Sequence, residues 1–184
     1  MTPDPTTGQE STAQSSPRPR RWRLGAGTFL LGGLVIAIDQ GTKVWAEAAL
    51  TRGERIPLVG DLLGLQLAYN PGAAFSFGEG FTWVFAVVAV AATVAAIVFA
   101  FRVQRPAWAI VIGALGGAAA SHAFDRLFRT PGFARGHVVD FLAYGNWFIG
   151  NIADIVIVTA AIAGALLMLR ESPRRDHDGA THEE

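Results

Sequence analysis

This chain reads as an all-α integral membrane protein: four transmembrane helices, with short strands and turns on the outer surface. Three observations carry that reading. Of 184 residues 51% are apolar and only 16% charged, for a mean hydropathy of +0.34, although both ends of the chain are polar. Four separate apolar stretches are each long enough to enter hydrocarbon as a helix. Arginine gathers on one side of those stretches, as it does on the inner side of membrane proteins.

Residues 1–23 form a basic N-terminal tail expected to be disordered. Its Pro, Ser, Thr, Gln and Gly cannot bury enough apolar surface to offset ordering, and Arg18, Arg20, Arg21 and Arg23 close it. The membrane domain follows over 24–169. Leu24 to Val44 is the first span, interrupted mainly by Asp39, Gln40, Thr42 and Lys43 near its far end. Ala46-Glu47-Ala48 has the small-residue pattern of a signal-peptide cleavage site. Asp39 and Lys43 lie between it and the apolar run, however, and more spans follow, so a retained helix is expected.

Phe81 to Phe101 carries no charge and is the second span. Trp108 to Phe124, the third, is rich in small residues, with Gly113, Gly117 and Ser121 four apart, a spacing that lets helix backbones approach closely. This helix belongs inside the bundle. Ile152 to Leu169 is the fourth, with Asp154 in its first turn, and 170–184 is a charged C-terminal tail. The two longer connections, Ala46 to Gly80 and Asp125 to Gly150, then share the outer side. Within the first, apolar residues from Arg55 to Tyr69 around Gly60 and Gly64 suggest strands and turns at the membrane surface. The second is expected to be a loop returning to the fourth helix.

Composition excludes several chemistries. With no Cys there is no disulfide, thiolate ligand or Cys nucleophile, and with 15 basic against 15 acidic residues there is no electrostatic footprint for nucleic acid. No zinc-binding His-Glu-x-x-His, phosphate-binding loop or Gly-x-Ser-x-Gly elbow is present. Ser121 and His122 are adjacent, so on a helix they point apart and make a poor nucleophile and base.

The chemistry therefore falls to carboxylates. Ionisable groups at membrane depth are costly and mark function or pair with one another. Asp39, Asp125, Asp140 and Asp154 all fall towards the outer ends of helices or in the last connection, where they could converge on one shallow site. Asp39 has Lys43 one turn later and Asp125 has Arg126 beside it, which points to ion pairing. Asp140 and Asp154 have no such neighbours and sit in apolar surroundings. Two carboxylates close together in a low dielectric hold one proton between them, an arrangement that activates water. The structural alternatives are that Asp154 merely caps its helix behind Asn151, and that Asp140 is a solvated loop acid. A proton or ion relay through the four acids is disfavoured because they lie near one side.

From about Leu31 to Leu169 these residues resemble the lipoprotein signal peptidases (signal peptidase II). Asp39-Gln40-Gly41-Thr42-Lys43 is similar to that family's Asp-Gln-x-Ser/Thr-Lys. Asn70-Pro71-Gly72-Ala73-Ala74-Phe75-Ser76 is similar to its Asn-x-Gly-Ala-Ala-Phe, Val138-Val139-Asp140-Phe141 to its Val-Val-Asp-Phe, and Asn151-Ile152-Ala153-Asp154 to its Asn-x-Ala-Asp. The resemblance implies a membrane aspartic endopeptidase that cleaves diacylglyceryl-modified prolipoproteins before the lipidated Cys. Asp140 and Asp154 would be the catalytic dyad, supported by Asp39, Lys43, Asn70, His122, Asp125, Arg126 and Asn151. It also implies a β-cradle over Arg55 to Tyr69, no metal or organic cofactor, and partners limited to substrate and membrane lipid. The setting implied is the bacterial cytoplasmic (inner) membrane, with both termini cytoplasmic and the site near the outer face.

One block departs: Gly117-Ala118-Ala119-Ala120-Ser121-His122-Ala123-Phe124-Asp125-Arg126 has His122 where the family has Asn and Ser121 where it has Gly, and Gly150 stands where Phe is usual. The alternative is a catalytically silent paralogue that binds lipidated prolipoproteins.

Overall fold

The computed structural model describes residues 18–72 and 81–171. The expectations for 1–17, for Ala73-Ala74-Phe75-Ser76 and for 172–184 lie outside them. The elements run α1 (Arg18–Ala49), β1 (Ile56–Val59), β2 (Leu63–Asn70), α2 (Thr82–Arg102), α3 (Pro106–Phe128), β3 (Val138–Tyr144), β4 (Phe148–Gly150) and α4 (Ile152–Glu171). All four helices are long and apolar enough to cross a membrane. One broad apolar side of α2 faces outward, through Trp83, Val87, Val94 and Phe101, which suits lipid as solvent, while Ala86 and Ala100 turn inward.

Two boundaries differ from expectation. Helix α1 begins at Arg18, so the last residues of the expected tail, 18–23, are helical. It also continues past Val44 through Ala46-Glu47-Ala48. Ala and Glu favour helix, and Ala46 is fully buried against Leu67, Val139 and Phe141 of the sheet, so this stretch is an integral turn of α1.

Helix α3 packs on each of the other helices, as its small residues predict. Gly117 shows why: a Cβ there would lie 2.5 Å from the Gly32 carbonyl oxygen and 2.8 Å from Gly32 Cα, so α1 and α3 cross glycine on glycine. Pro106 opens α3 in the first turn, where its missing N–H has no helical partner to lose.

The second connection is not a loop. It supplies β3 and β4, and the sheet runs β1-β2-β3-β4, each neighbour antiparallel. Strand β2 pairs with β3 in the register Asn70↔Val138 and Ala68↔Asp140, tying the first outer connection to the second. The β3–β4 turn closes where Trp147 N–H donates to the Tyr144 carbonyl at 3.0 Å, with Gly145 at φ 54°. The C-terminal ends of α1 and α3 and the N-terminal ends of α2 and α4 all meet this side. Lys43 reaches Asp125, Ala153 N–H reaches Asp39, and Thr82 Oγ1 donates to the Pro71 carbonyl.

Candidate active site

Asp140 enters the bundle from the middle of β3 and is 3% exposed, so it is not a solvated loop acid. Its Oδ1 accepts from Asn151 Nδ2 at 2.7 Å and its Oδ2 from Asn70 Nδ2 at 3.0 Å. Both amides are held in these orientations by backbone donors. Asn70 Oδ1 accepts the Gly72 N–H at 3.0 Å, and Asn151 Oδ1 accepts the Asp154 N–H at 3.2 Å, so each side chain has only its NH2 to offer Asp140.

Asn151 is the N-cap of α4, and Asp154, three residues on, returns the bond: Asp154 Oδ2 accepts Asn151 N–H at 2.9 Å. This is the reciprocal capping arrangement that satisfies two exposed donors of a helix start. The capping reading of Asp154 is therefore correct as far as it goes. The same Asn151 also bonds Asp140, so the cap joins the two carboxylates. Asp154 Oδ1 lies 3.2 Å from His122 Nε2, and its side chain remains 41% exposed to the pocket.

Burial pushes Asp140 up to about 7, and the neighbouring Asp154 charge pushes the same way, against the Asn70 and Asn151 amides and His122. Below neutrality Asp140 thus keeps a proton that an exposed Asp would have lost.

The four carboxylates do not converge on one site; they divide. Asp39, Lys43 and Asp125 are each 0% exposed and form a clasp between helices. Lys43 Nζ lies 2.5 Å from Asp39 and 2.7 Å from Asp125. Asp39 further accepts Ser121 Oγ–H at 2.6 Å and the α4 backbone N–H of Ala153 at 2.8 Å, tying α1, α3 and α4 together. Asp125 accepts Gln40 Nε2 at 2.9 Å and Arg129 Nε at 2.7 Å.

Arg126 is not the partner of Asp125, contrary to expectation. Successive helical residues turn by about 100°, so when Asp125 faces α1 its neighbour faces elsewhere. Arg126 is 4% exposed and donates to the carbonyls of Asn70 at 2.9 Å, Gly136 at 3.2 Å and Gly72. Its guanidinium also lies 5.6 Å from the centre of the Phe85 ring. It fastens the turn after β2 to the strand approach after α3, so Asn70 is held under Asp140.

Sequence reasoning had not assigned Gln40, Ser121 or Arg129 to this network. Arg129 carried a readable signal, four residues after Asp125 on one helix. Ser121, a departure from the family pattern, is the hydroxyl that reaches Asp39.

Asp140, Asp154, Asn70, His122 and Arg126 line the polar end of a pocket of about 680 Å³. Its remaining wall is largely apolar, with Phe85, Val88 and Ala92 of α2 facing Ile155 and Val158 of α4. Among the described residues no three His, Asp or Glu side chains gather as metal ligands.

Fold and site define a multi-pass membrane protein with a carboxylate-bearing pocket at one end of an apolar bundle. A family model described as signal peptidase (SPase) II matches residues 31–170. Relatives named lipoprotein signal peptidase include one from Rhodococcus jostii, 36% identical over 176 residues, covering 90% of this chain and 89% of that protein. One from Mycobacterium avium is 40% identical over 167 residues, covering 91% and 89%, and one from Bifidobacterium adolescentis is 42% identical over 143 residues, covering 78% and 76%. A solved structure described as a bacterial membrane enzyme has the same fold, with a TM-score of 0.71 at 22% identity over 85% of this chain and 95% of that one. The chain belongs to the signal peptidase II family and is a protease of that family. The shared naming of its relatives does not favour a catalytically silent paralogue.

Proposed function

We propose that this protein is an aspartic endopeptidase that removes signal peptides from diacylglyceryl-modified prolipoproteins, cutting just before the lipidated Cys, with Asp140 and Asp154 as its catalytic pair. The observation that carries this is Asn151, which bonds both carboxylates at the polar end of an apolar pocket. The catalytic unit is 24–169.

A water between the two side chains is the nucleophile. Ionised Asp154 takes its proton as the oxygen attacks the scissile carbonyl carbon, while Asp140 gives its proton to the carbonyl oxygen. The neutral tetrahedral diol then collapses. Asp154 passes the proton to the departing nitrogen, the C–N bond breaks, and a diol hydroxyl returns its proton to Asp140, restoring the starting pair. Asn70 and Asn151 hold Asp140; His122 contacts Asp154; Arg126 holds Asn70; Asp39, Lys43 and Asp125 fix the helix ends.

The apolar wall along α2 and α4 suits acyl chains and a hydrophobic signal segment, so the lipid anchors substrate at the depth of the carboxylates. No metal or organic cofactor enters this scheme. The arginines at the end away from the sheet, Arg102, Arg105 and Arg170 with the N-terminal cluster, support a cytoplasmic-membrane orientation with both termini inside and the pocket at the outer face.

The test is cleavage of a diacylglyceryl-modified prolipoprotein by purified protein in detergent, read as a gel shift. Wild type cleaves, whereas Asp140→Asn and Asp154→Asn remain folded and do not. Wild-type activity in either variant refutes the assignment.

A further inference from the structure

Among the described residues, His122 is the one ionisable side chain of α3 that makes an ion-pair contact with the carboxylate pair. It lies on the pocket wall, its side chain 17% exposed, with Nε2 3.2 Å from Asp154 Oδ1. Among the described residues the charged and titratable groups around it are few. Asp154 faces it from α4, Asp140 and Tyr144 line the same pocket from β3, and Arg126 follows one turn later on α3, engaged with backbone carbonyls. Helix α2 contributes apolar side chains to this wall, Phe85, Val88 and Ala92 among them, and Lys43 of α1 is already paired with Asp39 and Asp125.

The two oxygens of Asp154 are held from different directions. Oδ2 takes the Asn151 N–H at 2.9 Å and Oδ1 faces His122. Two donors fix the plane of a carboxylate that one donor would let turn. Gly150 leaves this geometry free of crowding, because a Cβ there would stand 2.9 Å from Asp154 Oδ2.

We propose that His122 is a positioning residue for hydrolysis: donating from Nε2 to Asp154 Oδ1, it fixes Asp154 as the ionised member of the pair and leaves the shared proton on Asp140. This rests on the catalytic reading of Asp140 and Asp154 above. A histidine does here what a neutral amide could do only in part. It orients the oxygen in either protonation state through an Nε2–H, and when protonated it adds a charge next to the base. That charge also bears on Asp140, opposing the retention of its proton.

The experiment compares wild type, His122→Ala and His122→Gln in steady-state cleavage of a diacylglyceryl-modified lipopeptide from pH 5 to 9, with thermal unfolding as a fold check. Glutamine can present an N–H towards Asp154 but cannot titrate. In the alanine variant kcat falls about 100-fold, the scale of a misplaced reacting group. Its KM stays within about twofold, because the loss is confined to the chemical step. The glutamine variant recovers at least about tenfold of that loss, and the alkaline limb of its kcat/KM profile moves to higher pH than in wild type, since the opposing imidazole charge is gone.

Three results overturn the proposal: alanine with wild-type kcat, glutamine no better than alanine, or a glutamine profile that superimposes on the wild-type one. If the alanine variant does not fold, the wild-type and glutamine profiles decide alone. Cleavage by Asp140→Asn or Asp154→Asn removes the catalytic reading instead, and this proposal falls with it. Failure confined to the His122 variants leaves that reading standing.

Discussion

Replacing Lys43 by methionine keeps most of the side-chain volume and removes one positive charge from a site with no access to water. Asp125 keeps Arg129 at 2.7 Å, but Asp39 is left, among the described residues, with the neutral donors Ser121 Oγ–H and Ala153 N–H. One buried carboxylate is thereby stranded, and removing a single partner from a buried ion pair costs about 3 to 5 kcal/mol. For a chain of this size each kcal/mol lowers Tm by about 2 to 4 °C, so a fall of about 6 to 20 °C is expected. Thermal unfolding in detergent, followed by intrinsic tryptophan fluorescence, reads it directly. The double variant Lys43→Met with Asp39→Asn no longer strands a charge and should recover part of the loss. A single variant within about 2 °C of wild type, or a double variant less stable than the two losses added, would refute the electrostatic account of the clasp.

Other expectations follow from the same geometry. Asp140 ionises near 7 in the folded protein against 3.8 for the free side chain. Folding therefore favours its protonated form, a contribution fully present below about 3.8 and lost as pH rises through about 7. Asp140→Asn cannot ionise, so the Tm of that variant should gain on wild type as pH is raised from 4 to 8, by the equivalent of up to about 4 kcal/mol; a constant gap across that range contradicts the burial argument. Gly117→Ala places a methyl against the backbone of Gly32, where neither partner can yield, and should cost about 1 to 3 kcal/mol in unfolding experiments. An unchanged Tm would mean that α1 and α3 can separate without loss.

The helices were legible because each is a long apolar run, and period and length alone distinguish such a run from loop. The packing order of α3 was legible for a related reason: glycine and alanine at four-residue spacing admit a neighbouring backbone, and the spacing is visible in sequence. The β3–β4 hairpin was not foreseen. Val138 to Tyr144 is a short apolar run without strict alternation, because Val138, Val139, Asp140 and Phe141 are all buried. Its pairing with β2 joins segments nearly seventy residues apart, Asn70 with Val138, which no local signal reports. The Gly145-Asn146 pair was the one cue to a tight turn.

The site divides in the same way. The burial of Asp140 could be read from its apolar surroundings and the Asp39–Lys43 pair from its one-turn spacing, whereas the remaining partners could not. Arg126 stood next to Asp125 in the chain and bonds three carbonyls instead, because neighbours on a helix face different directions. Lys43 stood one turn from Asp39 and does pair with it, but its second partner, Asp125, comes from another helix.

Asn151 has a consequence for how the polypeptide becomes competent during its insertion. Asp140 arrives on a strand that pairs with β2, and Asp154 on the first turn of α4; one asparagine both starts that helix and links the two acids. On the proposed catalytic reading, a chain whose α4 has not formed its first turn lacks the link that aligns the two acids. On that reading, completing the last helical cap and aligning the two acids are one structural event.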